Sequence, residues 1–177
     1  MRKILLLISI LIIMISCSST RNNGYEKFIL PENFEGSVIV LYDEKETLTE
    51  ENKDGKYTVY EIPENGVYYT KKEIATGTIN HKYYRKIVGY YEEIRRVTFP
   101  LLENETIDID SIYVMDLQSG EFSKRPIGSE DDSSNYGKVK FISFLVVKYE
   151  DREKLINKDR KKIDSLQGAY IKSLYKE

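Results

Sequence analysis

The residues with reactive side chains are few and lie far apart in the chain. His81 is the single imidazole among 177 residues, which excludes any site built from two or more histidines. A histidine that acts as a general base needs a nucleophile beside it, and the sequence contains no nucleophile-elbow pattern. We therefore expect His81 to be a turn or surface residue and the protein not to be an enzyme. A hydrolase that uses His81 or a carboxylate is the alternative.

Two groups of carboxylates have the oxygen ligands that calcium prefers. Asp108 and Asp110 stand two residues apart, which would place them on one face of a strand, and Glu130, Asp131 and Asp132 form an acidic loop. Neither group has the spacing of an EF-hand. A two-carboxylate glycosidase is compatible with the residue types, but nothing singles out its acid and nucleophile. The prediction is solvated charge, with no metal and no cofactor.

Tyrosine is the unusual feature of the composition, with 15 tyrosines and no tryptophan. Adjacent residues of a strand face opposite sides of a sheet, so each Tyr-Tyr pair is expected to place one ring inward and one outward. Such rings commonly fill half-buried strand faces, but an outward row would be able to stack on sugars or contact a protein. The candidate binding surface consists of Tyr68, Tyr69, Tyr83, Tyr84, Tyr90 and Tyr91.

The composition is that of one globular domain. Hydrophobic residues make up 41% of the chain and charged residues 32%. The 27 Lys and Arg residues are balanced by 29 Asp and Glu residues, so there is no cationic excess for binding nucleic acid. A single cysteine excludes a disulfide framework.

Short apolar runs separated by turn residues predict many strands. Pro31 and Pro63 would each close a strand, and Gly36 and Gly66 stand where a turn requires positive φ. The predicted fold is mainly β, an antiparallel β-sandwich-like domain over residues 25–149. The candidate strands cover residues 28–31, 37–42, 56–62, 67–70, 82–88, 94–99, 111–117 and 138–148.

Residues 150–177 have a helical pattern. One stripe of a helix contains Leu155, Ile163, Leu166, Tyr170 and Leu174, and lysine and arginine cover the other face. We predict a C-terminal α-helix that lies on the sheet; a helix that binds an envelope partner is the alternative.

The first residues form a secretory signal. Arg2 and Lys3 precede an apolar run from Ile4 to Ile15, and small residues follow. Twelve helical residues span roughly 18 Å, which is too short for a hydrocarbon core of about 30 Å. We predict a signal peptide at residues 1–16 and a polar tether at residues 17–24.

The segment Met14-Ile15-Ser16-Cys17 resembles the lipobox of bacterial lipoproteins. The resemblance implies that Cys17 is the lipidation site, carrying diacylglycerol and usually a further acyl chain such as palmitate. It also implies a membrane-anchored protein of the bacterial cell envelope, at the outer membrane if the host has two membranes.

Residues 25–95 resemble an uncharacterised domain family found in bacterial lipoproteins. The resemblance rests on the segment 28–38 and on a Gly-x-Tyr…Ile-Pro-x-x-Gly element at residues 55–66. That family has no assigned activity, so no functional residue is transferred from it. The sequence therefore predicts a lipid-anchored, non-catalytic binding or structural module with an envelope protein as partner. The alternative is a carbohydrate- or peptidoglycan-binding module that uses exposed tyrosines.

Overall fold

The computed structural model describes residues 24–42, 52–75, 78–98, 106–126, 129–130 and 136–174. The predicted signal peptide, Cys17 and the tether up to residue 23 lie outside the described residues. The described part contains nine strands, a 3₁₀ turn at Tyr149–Asp151 and one α-helix. The elements are β1 (Gly24–Leu30), β2 (Gly36–Tyr42), β3 (Asn52–Asp54), β4 (Tyr57–Glu61), β5 (Val67–Tyr69), β6 (Ile79–Ile87), β7 (Tyr90–Glu93), β8 (Ile112–Ser123), β9 (Lys138–Lys148) and α1 (Arg152–Leu174).

The strands form two sheets, which confirms the predicted mainly β sandwich with a C-terminal helix. The five-stranded sheet has the order β3-β4-β1-β6-β7, and the four-stranded sheet has the order β5-β2-β9-β8. Pairing is mixed, not antiparallel throughout, because β1 is parallel to β4 and β6, and β2 is parallel to β5. The short turn at residues 31–35 carries the chain from one sheet to the other. Neighbours within a sheet therefore come from distant parts of the sequence, and their directions need not alternate.

Two details of the strand prediction are wrong. Residues 94–98 do not form a strand, because the chain there crosses between the sheets and makes only an isolated bridge from Arg96 to Val114. The sequence also missed β3 and β7, which are short and consist of exposed residues without an apolar alternation.

The two ends of the sandwich are formed by different strand ends and turns. Because β1, β4 and β6 run in the same direction, Gly24, Tyr57 and Ile79 lie at one end, which we call the tether end since residue 23 leads into it. The opposite end, the far end, contains the turn at residues 88–89 and the start of β8.

The core contains a row of aromatic rings to which both sheets contribute. In-register parallel pairing places Tyr60 and Tyr83 on either side of Phe28. Their ring centroids lie 5.2 and 5.4 Å from that of Phe28, and Phe144 of β9 contacts the same ring edge-on. Such pairs are worth about 0.5–1.5 kcal/mol beyond the area they bury.

Helix α1 covers the outer side of the four-stranded sheet, as predicted. Its N-terminal half packs against Met115 and Leu145, and its C-terminal half packs against Ile39 and Leu41. In the part of the chain that the structure describes, no helix is both long and apolar enough to cross a bilayer.

The turns confirm the prediction for two glycines. Gly36 and Gly66 have φ of 133° and 74°. A Cβ at Gly66 would lie 2.3 Å from the carbonyl oxygen of Ser37, so both the conformation and the space there require glycine.

Candidate functional site

A carboxylate is buried in the core at the tether end. The register of β1 with its two parallel neighbours aligns Thr58, Glu26 and His81 in one row on the inner face of the five-stranded sheet. Glu26 is fully buried, and only 7% of the His81 side chain is exposed. Phe28 and Leu30, the next two residues of β1 on the same face as Glu26, belong to the apolar core.

Donors from three strands and one loop surround this carboxylate. Tyr42 of β2 contacts Oε1 and Oε2 at 3.2 and 3.1 Å, and Tyr60 donates to Oε1 at 3.1 Å. His81 Nε2 lies 3.0 Å from Oε2, and the Lys72 ammonium lies 3.7 Å from Oε1. We call these five residues the Glu26 cluster. Because Tyr42 belongs to the opposite sheet, the cluster connects the two layers of the sandwich.

The surroundings keep the carboxylate ionised and the phenol protonated. Burial raises the pKa of Glu26, but the hydrogen bond and charge of His81, with Lys72 and Tyr60, outweigh burial and hold that pKa below 4.5. Burial and the charge of Glu26 raise the pKa of Tyr42 far above its usual value. Tyr42 therefore remains a donor and Glu26 an acceptor over the physiological pH range.

The position of His81 corrects the sequence prediction. The residue lies within β6 on the inner face of the sheet, not in a turn or on the surface. Its Nε2 atom is occupied by Glu26, and both side chains are almost closed to solvent. The contact joins neighbouring strands β1 and β6 within the five-stranded sheet.

Two buried polar atoms near the cluster have no hydrogen-bond partner among the described residues. They are Nδ1 of His81 and the hydroxyl of Tyr83. Burial raises the pKa of Tyr83, so this hydroxyl stays protonated. An unmade buried hydrogen bond costs free energy, which makes Tyr83 a place where the core is not optimal.

The six tyrosines proposed from the sequence do not share one surface. Tyr83 is 2% exposed and belongs to the core, and Tyr68 faces inward against the ring of Tyr60. Tyr69 lies on the four-stranded sheet, and Tyr90 is exposed at the far end. The structure brings together only Tyr84 and Tyr91, because strand pairing places both on the outer face of the five-stranded sheet.

Two further tyrosines, which the sequence did not single out, occupy the same outer face. The Tyr25 and Tyr57 rings meet edge-on at 5.5 Å. Lysines lie over the rings: Lys56 Nζ is 4.0 Å from the centroid of Tyr25, and Lys27 Nζ is 4.8 Å from that of Tyr84. The outer tyrosine face, as we name it, consists of Tyr25, Tyr57, Tyr84, Tyr91, Lys27 and Lys56.

The acidic residues that the structure describes show hydrogen bonds within a turn. Asp108 lies in a turn before β8, not on a strand, and its carboxylate accepts hydrogen bonds from the Asp110 backbone at 3.1 Å and from Ser111 at 2.6 Å. These bonds lower the pKa of Asp108. No group of three or more potential metal ligands occurs within the described residues, and Asp131 and Asp132 lie outside them.

Residues 22–95 match the model of a family described as "Family of unknown function (DUF6843)". The matched range agrees with the resemblance found over residues 25–95. A crystal structure of a protein from Bacillus anthracis, provisionally described as a lipoprotein, is 19% identical, and the match covers 70% of each chain with a TM-score of 0.43. A TM-score of this size does not establish a common fold. No curated protein matches the sequence.

Sequence reasoning missed the Glu26 cluster because its members are far apart in the chain. One local signal was present: a glutamate two residues before Phe28 on the apolar face of a strand. His81 and Tyr83 repeat this polar-then-aromatic spacing in β6. Only the parallel register shows that the two polar residues meet.

Proposed function

We propose that this protein is a lipid-anchored module of the bacterial cell envelope that binds a partner and catalyses no reaction. The observation that carries the proposal is the burial of Glu26 and His81. The pair best suited to acid–base chemistry is 1% and 7% exposed, and the Glu26 carboxylate is occupied by hydrogen bonds from His81 and from Tyr42 of the opposite sheet. General acid–base catalysis requires such a group to reach the substrate directly or through one water molecule.

The anchor is tested by changing Cys17. The Cys17→Ser protein should lose its lipid mass and move from the membrane fraction to the soluble fraction. Ser18→Ala is the matched control, because it changes the neighbouring residue and keeps the sulfur. A Cys17→Ser protein that still carries lipid and stays in the membrane fraction would contradict the anchor.

The absence of catalysis is tested with the purified lipidated protein and isolated cell-wall material. We expect no release of soluble sugars or peptides over many hours. Release that is abolished in the His81→Gln or the Glu26→Gln protein would replace the binding function with a hydrolytic one.

Glycan binding is the second candidate, and the outer tyrosine face favours it. Four rings and two lysines share one side of a sheet, where Tyr91 is 49% exposed and the other three rings are half-buried, and aromatic rings on such a face can stack on sugars. The Tyr84→Ala/Tyr91→Ala protein should lose binding to purified wall polysaccharide in a sedimentation assay. Tyr69→Ala is the control, because Tyr69 is also exposed but lies on the other sheet. Equal loss in the control would remove the outer tyrosine face from consideration.

A further inference from the structure

The chain enters the domain through the middle of the five-stranded sheet. Gly24 begins β1 seven positions after Cys17. β1 lies between β4 and β6, with β3 and β7 at the two edges of the sheet. A pull on the N-terminus therefore acts directly on a central strand of the domain.

A pull along β1 loads two hydrogen-bonded ladders at once. β1 pairs in parallel with β4 over residues 26–29 and with β6 over residues 24–30. The hydrogen bonds of a parallel ladder are evenly spaced along the strand. A force that draws Gly24 out along the axis of β1 slides β1 past both neighbours, so the bonds of both ladders share the load. An edge strand that is pulled sideways, in contrast, loses its bonds one after another.

The Glu26 cluster lies near the end of β1 at which such a force enters. Glu26 is the third residue of the strand, and its carboxylate contacts both flanking strands and the opposite sheet. The contacts are Tyr60 of β4 at 3.1 Å, His81 of β6 at 3.0 Å and Tyr42 of β2 at 3.1 Å. One side chain of β1 is therefore bonded to three other strands.

No slipped register of β1 restores these contacts. A slip by one residue, about 3.3 Å toward the tether end, turns Glu26 to the outer face and brings Lys27 into the core. A slip by two residues keeps the faces but sets Phe28 in the place of Glu26, so its ring leaves the aromatic row. In both registers the hydroxyls and the imidazole that surrounded the carboxylate lose a charged acceptor, which costs more than the loss of an ordinary hydrogen bond.

We propose that β1 is the strand through which the anchored protein bears load, and that the Glu26 cluster fixes the register of β1 against force from the lipid anchor. The inference rests on the proposed anchor and binding function, because a protein held by lipid on one side and by a partner on the other is pulled through its N-terminus. It goes beyond that function by giving the buried cluster a mechanical role.

The C-terminal helix has a different mechanical geometry. α1 lies on the outer side of the four-stranded sheet, where it packs against apolar residues that include Ile39 and Leu41. Lys162 of α1 also donates to the backbone oxygens of Ser37 and Asn65, at 2.7 and 3.0 Å. A pull at the C-terminal end of α1 lifts the helix from the sheet turn by turn and does not act along β1. The two directions of force can therefore be compared within one molecule.

The test holds single molecules of the mature chain, residues 17–177, at constant force between two thiols in an optical trap. Cys17 supplies one thiol in place of the lipid, and Val88→Cys supplies the other, since Val88 is 87% exposed after the end of β6. Force between these points draws β1 and β6 in opposite directions along their axes. Glu26→Gln should shorten the time to the first unfolding step at least about tenfold, because this time is set by the unfolding rate. Glu61→Gln, on the exposed face of β4, is the matched control and should change it less than about twofold.

A second pulling geometry separates a mechanical role from general stabilisation. Cys17→Ser removes the first thiol and Lys172→Cys replaces it, so that force enters through α1 instead of β1. Lys172 suits this purpose because it is exposed near the end of the helix. Glu26→Gln should then shorten the time to the first step less than about twofold, since that step is the detachment of α1. A cluster that only stabilises the fold predicts the same shortening in both geometries.

The protein with Glu26 unchanged tests the proposal even if Glu26→Gln does not fold. At equal force it should last at least about tenfold longer when pulled through Cys17 than when pulled through Lys172→Cys. Because the handle replaces the lipid, neither result depends on lipidation of Cys17 in the cell. A failure of the anchor and a failure of the mechanical role are therefore distinguishable.

Three outcomes would overturn the proposal. The first is that the protein with Glu26 unchanged yields sooner when pulled through β1 than when pulled through α1. The second is that Glu26→Gln shortens the time to the first step equally in both geometries. The third is that Glu61→Gln shortens this time as much as Glu26→Gln does.

Discussion

Polar groups are enclosed at the tether end of the sandwich and open to solvent at the far end. At the tether end, the Glu26 carboxylate is enclosed and receives hydrogen bonds from two tyrosines and a histidine. At the far end, residues 92–95 and 110–113 line an open groove of about 540 Å³. Buried polar groups must find partners inside the protein, whereas groups at an open groove are satisfied by water that a ligand can displace. The polar groups of the enclosed end therefore contribute to stability through contacts within the protein, whereas those at the open groove can be satisfied by solvent.

The largest effect should follow from removing the enclosed charge. In Glu26→Ala, two tyrosine hydroxyls and His81 lose their acceptor, and a cavity is left between the sheets, so we expect a loss of about 3–5 kcal/mol in the free energy of unfolding. Urea unfolding followed by circular dichroism measures the loss. Glu61→Ala is the control, because Glu61 is exposed on β4, and it should change stability by less than about 0.5 kcal/mol. Equal stability of the two variants would contradict a structural role for Glu26.

Two glycines of the far end should lose different amounts of stability on substitution, more where the chain is closely packed than where it is open. Gly66→Ala forces a side chain into positive φ and against the Ser37 carbonyl oxygen, so it should cost about 2–4 kcal/mol. Gly89 also has positive φ, but a Cβ there would meet no atom within 4 Å. Gly89→Ala should therefore cost only about 1–2 kcal/mol, the backbone strain alone. Thermal unfolding of both variants gives the comparison, and a larger loss at Gly89 would show that its surroundings are not open.

Two tyrosine hydroxyls should respond differently to removal. Tyr42→Phe deletes a hydrogen bond to a charged carboxylate, so we expect a loss of about 1.5–3 kcal/mol in the free energy of unfolding. Tyr83→Phe deletes a buried hydroxyl without a described partner, and stability should stay within about 0.5 kcal/mol or rise. Urea unfolding should show that Tyr42→Phe is the less stable of the two variants. If Tyr83→Phe is the more damaging, its hydroxyl has a partner outside the described residues.

The smallest change should be that in the contribution of Glu26 to the free energy of unfolding when the pH is lowered from 7 to 5. The pKa of Glu26 in the folded protein lies below the ordinary value of 4.5, so its contribution is fully present above that pH. The contribution is lost as the pH falls below 4.5 through the folded pKa. The difference in unfolding free energy between the unchanged protein and Glu26→Gln should shrink as the pH falls below 4.5. A difference that grows at low pH would show that Glu26 is bound in its protonated form.

Much of the architecture was predictable because it depends on local patterns. The β-branched run at β2 and the stripe of Leu155, Ile163 and Leu166 predicted a buried strand and a covering helix, and both are confirmed. The candidate site was much less predictable. A tyrosine pair indicates that two rings face opposite ways, but not which ring meets the second sheet. The structure decides this point, because Tyr84 lies on the outer tyrosine face, whereas Tyr83 lies in the core.

The sequence by itself determined the alternation of strands and turns, the apolar face of the C-terminal helix and the prediction of lipid attachment at Cys17. These depend on residues adjacent in the chain, whose spacing specifies their geometry. Tertiary structure alone decided that Glu26 meets His81, 55 positions later, and that residues 92–95 separate from residues 110–113 to leave a groove. Both result from parallel pairing and from crossing between sheets. Strand direction and register are set by packing of the whole sandwich, and no local run of residues specifies them.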